Sequence, residues 1–71
     1  MRKVDKNAFR IEMLNRGYEN AKQLEEKTGI NSSMVSTFMT GARKPSYGTI
    51  SKIADALELD SETIGRIFFA S

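Results

Sequence analysis

The segment GINSSMVSTFMTG, residues 29–41, carries five hydroxyl side chains and no charged residue. Its hydroxyl-bearing residues are Ser32, Ser33, Ser36, Thr37 and Thr40. A hydroxyl group both donates and accepts hydrogen bonds, so this set can contact base edges, phosphates or the polar groups of another protein. The chain has 0 His and 0 Cys, so these hydroxyls have no His or Cys partner for nucleophilic catalysis. The segment is therefore a candidate recognition surface rather than a candidate catalytic site.

Helical periodicity divides this segment into two faces. At 100° per residue the apolar side chains fall within an arc of about 140°, and the hydroxyls fill the opposite arc. The apolar set is Met34, Val35, Phe38 and Met39. Asn31 is placed to cap the helix. The pattern predicts a short helix that buries its apolar face and offers the hydroxyls to a polar partner.

The same reasoning predicts four more helices and no strand, because no segment alternates with a period of two. They cover about residues 5–16, 20–28 and 47–58, and a stretch that begins at residue 60 or 61. Asp5, Asn20 and Ser46 are the expected N-caps. The expected left-handed helix ends are Gly17, Gly29 and Gly41. We predict an all-α fold, a compact bundle of five short helices.

Apolar stripes indicate which residues form the core of this bundle. In the first helix the stripe is Phe9, Met13 and Leu14. The last helix contributes Ile64, Ile67 and Phe68, which share one helical face. Phe69 points elsewhere, so it is a candidate for a homodimer or partner patch.

Length and composition limit the classes of function. With 71 residues the chain is expected to be one domain, with a core at about residues 5–68. The absence of Cys and His excludes disulfides and zinc sites of the Cys/His kind. No glycine-rich phosphate loop or metal-ligand spacing occurs, so we predict no enzyme activity, no metal and no cofactor. No secretion signal or membrane span is expected either, which favours a cytoplasmic location.

Charge is distributed unevenly along the chain. Residues 1–54 contain ten Lys and Arg against five Asp and Glu, whereas residues 55–71 contain one Arg against four acids. This asymmetry suggests a basic side that faces a polyanion, although ordinary solvated surface explains it equally well.

Two short helices joined through TGIN form a candidate helix-turn-helix. Gly29 can take the left-handed conformation that the sharp turn requires. Ile30, Val35 and Phe38 then fix the second helix across the first and leave its outer face ready for a DNA major groove.

The following residues strengthen this interpretation. The stretch VSTFMTGARKPSYGTISKIADALELDSETI, residues 35–64, resembles the Cro/C1-type, or Xre, helix-turn-helix family of phage and bacterial regulators. The matching features are the Val35–Ser36 step, Phe38, Gly41, the sequence RKP, and KIADALEL. The resemblance covers roughly residues 8–68, and it implies a lambda-repressor-like fold of five helices with helix 3 in the major groove.

The resemblance also assigns roles to individual residues. It implies base contacts from Ser32, Ser33, Ser36 and Thr37. It implies phosphate contacts from Asn20, Lys22, Asn31, Thr40, Arg43 and Lys44. If the protein binds DNA, we also expect the basic N-terminal residues Arg2, Lys3 and Lys6 to add affinity. The chain departs from the family at Glu25, which replaces a small residue that usually follows Leu24. Either its carboxylate must reach the edge of the helix crossing, or the two helices must splay slightly.

Two functions remain open at this point. The first is a phage Cro-like repressor of modest specificity, because Ser and Thr discriminate bases less well than Arg, Gln or Asn. It binds double-stranded operator DNA in a bacterial host cell. The second is an antirepressor that uses the same small, uncharged surface to bind a cognate phage repressor. In either case the family leads us to expect a homodimer, and Ile67, Phe68 and Phe69 are the candidate partner or dimer contacts.

Overall fold

A computed structural model describes residues 4–69, and within them the chain forms five α-helices and no strand. These are α1 (Lys6–Asn15), α2 (Ala21–Thr28), α3 (Ser32–Met39), α4 (Tyr47–Leu57) and α5 (Ser61–Ile64). The last helix continues directly into a π-helical segment, Gly65–Phe69. The predicted all-α fold of five short helices is confirmed.

Side-chain caps begin all five helices. The carboxylate of Asp5 accepts a hydrogen bond from the backbone N–H of Ala8 at 3.2 Å, and Asn20 accepts one from Gln23 at 2.9 Å. Ser46 and Asp60 accept in the same way from residues three positions further on, and Asn31 accepts from a residue two positions on. Each cap satisfies a backbone donor that has no partner inside its own helix, which is why these helix starts could be predicted from local sequence.

Left-handed residues end four of the helices, and three of these residues are glycines. Gly17, Gly29 and Gly41 have φ of 86°, 79° and 78°, as predicted. At the end of α4 the same conformation falls on Glu58, with φ 54° and ψ 46°. A side chain at this position is strained because its Cβ crowds the neighbouring carbonyl oxygen.

One hydrophobic core joins all the helices. Its largest fully buried side chains include Phe9, Phe38, Phe68, Met13 and Leu24. Burying an aromatic or leucine side chain of this kind stabilises the fold by about 1.5–3 kcal/mol. Leu14, which we expected in the stripe with Phe9 and Met13, is instead 59% exposed. It lies about 140° around α1 from Phe9, beyond the arc that the core covers.

The two ends of the described chain are joined. The backbone N–H of Asp5 donates to the carbonyl oxygen of Ile67 at 2.7 Å. The rings of Phe9 and Phe68 pack with their centroids 5.9 Å apart. The C-terminal segment therefore closes the core against α1, and the helix-turn-helix is supported from behind.

Candidate nucleic-acid interface

The turn between α2 and α3 fixes the angle at which α3 is presented. Gly29 ends α2 in the left-handed conformation, and the side chain of Asn31 caps α3 by accepting from the N–H of Ser33 at 2.7 Å. Leu24 and Val35 are fully buried, and Phe38 is almost so. Because both helices share this buried contact, α3 cannot swing independently of α2.

The outer face of α3 carries the five hydroxyls. Ser33, Ser36 and Thr40 are exposed, whereas Ser32 and Thr37 are half-buried. The Thr37 hydroxyl donates to the carbonyl oxygen of Met34 at 2.6 Å, and that of Thr40 donates to Thr37 at 3.2 Å. These two side chains can therefore offer an acceptor and a methyl group, but not a free donor.

The three serines differ from the threonines. Among the residues that the structure describes, none forms a hydrogen bond with the side chains of Ser32, Ser33 or Ser36. Their hydroxyls are free to donate or accept on contact with a partner. The serine hydroxyls are thus the adaptable part of this face.

One residue of the apolar arc was wrongly assigned to the buried face. Met34 is 36% exposed, whereas Val35 and Phe38 are buried and Met39 is partly buried. Met34 stands at the margin of the apolar arc, only about 60° from Thr37. It therefore borders the hydroxyl face.

A family comparison agrees with this geometry. Residues 9–66 match the model of the Cro/C1-type HTH DNA-binding domain. The chain belongs to this family. No curated protein and no solved structure matches the chain. The protein is thus a DNA-binding regulator of the helix-turn-helix kind, and the features particular to this member must be read from its own residues.

The start of α2 in this Cro/C1-type domain contains two of the predicted phosphate ligands. The Asn20 side-chain oxygen is occupied as the cap, while its amide nitrogen can still donate. Lys22 is exposed, but its Nζ lies 3.5 Å from Oε1 of Glu25. The Glu25 side chain is 30% exposed. The carboxylate that departs from the family pattern thus reaches outward and partly neutralises Lys22.

The loop after α3 contains two more predicted phosphate ligands, Arg43 and Lys44, whose side chains contact different parts of the domain. The Nη1 atom of Arg43 lies 3.7 Å from the thioether sulfur of Met34. The Nζ atom of Lys44 lies 4.1 Å from the centre of the Phe69 ring, over its face. That ring in turn stacks on Tyr47 with centroids 5.7 Å apart. Nothing in the local sequence indicates the Phe69–Tyr47 stack, because the two residues lie more than 20 positions apart.

The remaining predicted contacts take different positions. Asn31 and Thr40 are exposed at the two ends of α3, each with one polar group used within the helix. Lys6 is exposed, and its side-chain carbons lie about 4 Å from where a Cβ on Gly41 would stand, next to the loop after α3. Arg2 and Lys3 lie outside the described residues.

The three candidate partner contacts separate into two groups. Ile67 and Phe68 are buried at 1% exposure each, so in this fold they are core residues and cannot meet a partner. Phe69 is 42% exposed and lies beside Tyr47, which is 78% exposed. Of the three, only Phe69 is available as a surface contact.

Within residues 4–69, no group of three or more acidic side chains could hold a metal ion. None of the described helices has the length and apolar character needed to cross a bilayer.

Proposed function

We propose that this protein is a Cro-like transcriptional repressor that binds operator DNA with α3 in the major groove. The observation that carries the proposal is the exposed, uncharged hydroxyl face of α3 on a rigidly packed helix-turn-helix. In helix-turn-helix proteins the first residues of the second helix contact base edges. Here those residues include Ser32, Ser33 and Ser36, whose hydroxyls have no partner among the described residues.

Base readout by this face is modest in strength. Serine hydroxyls adapt to either a donor or an acceptor on the base, so each contact discriminates weakly. Thr37 adds a methyl group that can meet the methyl group of thymine, since its hydroxyl proton is already used. Part of the selectivity then comes from the sequence-dependent shape of the duplex.

Affinity comes mainly from the phosphates. Asn20, Asn31 and Thr40 offer uncharged donors or acceptors, and Lys22, Arg43 and Lys44 add positive charge. Each phosphate that a cation neutralises releases a counterion, which makes binding depend steeply on salt. Lys6 lies beside the loop that contains Arg43 and Lys44, and it adds a further positive charge there.

Binding to a two-fold operator requires a dimer. Phe69 is the exposed apolar residue at the C-terminal end, so we infer that it contributes to the contact between two copies. In this proposal residues 1–71 act as a single domain, in the cytoplasm of a bacterial host.

A second function is favoured by a specific observation. The hydroxyls of Thr37 and Thr40 are satisfied by the backbone of their own helix, and the adjacent Met34 is exposed. Covering these two threonines and Met34 with protein removes few unsatisfied polar groups from water, and methionine adapts to irregular partners. This combination suits an antirepressor that binds the corresponding surface of a cognate repressor.

A salt titration distinguishes the two functions. Binding of a fluorescent duplex pool of randomised sequence is measured by anisotropy between about 50 and 200 mM salt. The repressor function predicts that log K falls with log salt by a slope of several units, about 0.9 for each neutralised phosphate. Lys44→Ala should reduce that slope by about one, whereas Lys52→Ala, on α4, should leave it unchanged. If micromolar protein binds no duplex at the lowest salt, the antirepressor function replaces the repressor function.

A further inference from the structure

The side chain of Arg43 runs back along α3 instead of leaving the domain at the end of that helix. Its backbone N–H donates to the carbonyl oxygen of Thr37 at 3.3 Å, which fixes the start of the side chain beside the last turn. Its Nη1 atom lies 3.7 Å from the sulfur of Met34. The guanidinium therefore reaches the side chain of Met34, a residue of the first turn of α3.

This position is level with the proposed base contacts. Met34 precedes Thr37 by three residues, which is about 4.5 Å along the helix axis toward the N-terminus. Ser33 and Thr37 are the neighbours of Met34 on the hydroxyl side, within about 100° around the axis. The guanidinium thus lies beside the residue that borders the hydroxyl face, near the end of α3 that enters the groove most deeply.

The guanidinium is also unoccupied by other strong partners. Arg43 is exposed, and no carboxylate within residues 4–69 pairs with it. Its side-chain partner is the thioether sulfur of Met34, which is a weak acceptor. A cleft of about 410 Å³ opens beside it, lined by Met34, Lys44 and Thr49 among others. The donors of Arg43 can therefore turn toward a ligand at little cost.

The next residue behaves differently. The ammonium of Lys44 lies over the Phe69 ring at 4.1 Å, on the aromatic pair that Phe69 forms with Tyr47. Arg43 is thus placed against α3, and Lys44 against the aromatic ring of Phe69. Two adjacent positive charges in the sequence have separate surroundings in the fold.

We propose that Arg43 determines specificity by reading a guanine at the edge of the α3 contact, and that Met34 positions it. This inference rests on the proposed DNA-binding function. A guanidinium can donate two parallel hydrogen bonds to O6 and N7 of guanine, a pattern that no side chain of α3 itself can supply. Lys44, in contrast, contacts phosphate and is blind to sequence.

The experiment first selects preferred duplexes from a randomised 20-base-pair pool with the wild-type protein. Dissociation constants are then measured on duplexes in which each selected base pair is replaced by the other three, for wild type, Arg43→Ala, Lys44→Ala and Met34→Ala. All three side chains are exposed, so folding should survive, and circular dichroism checks this.

The expected result is a guanine position at which wild type discriminates by about tenfold or more. Arg43→Ala should accept all four bases there and keep its other preferences. Met34→Ala should reduce discrimination at the same position, and Lys44→Ala should weaken binding equally for every duplex.

Two results overturn the inference while leaving DNA binding intact. The first is a uniform loss of affinity for Arg43→Ala with unchanged base preferences, which means that Arg43 contacts only phosphate. The second is that the selected duplex contains no guanine position at which the base preference changes in Arg43→Ala. Failure of the underlying function looks different, because wild type would then enrich no duplex at all.

Discussion

Lys22 and Glu25 lie one turn apart on α2, with 3.5 Å between the ammonium nitrogen and one carboxylate oxygen. The lysine is a predicted phosphate ligand, and the glutamate is the residue that departs from the family pattern. Any phosphate that approaches Lys22 must compete with this carboxylate. The pair therefore lowers the affinity that α2 can contribute to DNA binding.

Replacing Glu25 with Gln should increase affinity for DNA. The change removes the negative charge beside Lys22, so that Lys22 is free to pair with a phosphate. Because exposed ion pairs of this kind are worth at most about 1 kcal/mol, the expected gain in affinity is up to about fivefold. Anisotropy at low salt measures it. Glu26→Gln is the matched control, because Glu26 is exposed and pairs with no cation among the described residues. Equal gains from both changes would show that only net charge matters.

Adjacent aspartate substitutions on α3 should have opposite effects. Val35 has no exposed surface, so Val35→Asp buries a charge without a partner, costs several kcal/mol and should unfold so small a domain. Ser36 is exposed, so Ser36→Asp should fold normally and yet lose DNA affinity by about tenfold or more through repulsion from phosphates. Circular dichroism and anisotropy separate the two. A folded Val35→Asp protein would mean that the faces of α3 are assigned the wrong way round.

Glu58→Gly should stabilise the protein. Glu58 ends α4 with φ 54°, a conformation that costs a side-chain-bearing residue roughly 1–2 kcal/mol. The ion pair to Arg16 that the change removes is long, at 4.0 Å, and solvent-exposed, so it offsets little of the gain. A net gain near 1 kcal/mol raises the melting temperature by about 4–8 °C. The control is Glu62→Gly inside α5, which should lower the melting temperature; a decrease for both variants would contradict the strain at position 58.

The cap of α5 should weaken in acid. The side chain of Thr63 and then its backbone N–H, at 2.8 Å, hydrogen-bond to Asp60 and hold its pKa below the ordinary value of 3.8. Because the pKa is lowered in the folded state, the stability from this carboxylate is present above about pH 4 and is lost as the pH falls through the folded pKa. As the pH is lowered from about 5 to 2, the melting temperature should therefore fall more steeply for wild type than for Asp60→Asn, whose cap does not titrate. If the melting temperatures of both proteins fell equally with pH, the loss of stability in acid would come from other carboxylates.

Serine at position 69 should dissociate the proposed dimer without unfolding the domain. Phe69 is 42% exposed, so the core loses little when its ring is removed. Light scattering should give the mass of two chains for wild type and of one chain for Phe69→Ser. Ile11→Ser is a suitable control, because Ile11 is 56% exposed on α1 and should not change the mass. A wild-type protein that stays monomeric at concentrations that saturate DNA would contradict the dimer contact.

The helix boundaries and the two faces of α3 were predictable because they depend on local interactions. A cap such as Asn20 bonds a residue three positions away, and periodicity assigns Val35 and Phe38 to the buried side. The exposed positions of Leu14 and Met34 were not predictable in this way. Both stand at the margin of an apolar arc, where the extent of the neighbouring helices decides whether the core covers them.

The surroundings of the candidate ligands were less accessible to sequence analysis. Lys44 and Phe69 lie 25 positions apart, and only the folded chain brings the ammonium over the ring. Likewise Arg43 and Lys44 were equivalent in the sequence, and their separation depends on how the loop turns back at Thr37. Long-range packing of this kind follows no short spacing rule.

Chemical-shift mapping of the amide groups during titration with a selected duplex shows directly whether α3 is the surface that binds DNA. If α3 lies in the major groove, the largest changes should fall on Ser32, Ser33, Ser36 and Thr37, with further changes at Arg43 and Lys44. Unchanged signals along α3, with the largest changes on the exposed surface of α1 around Ile11 and Leu14, would contradict it.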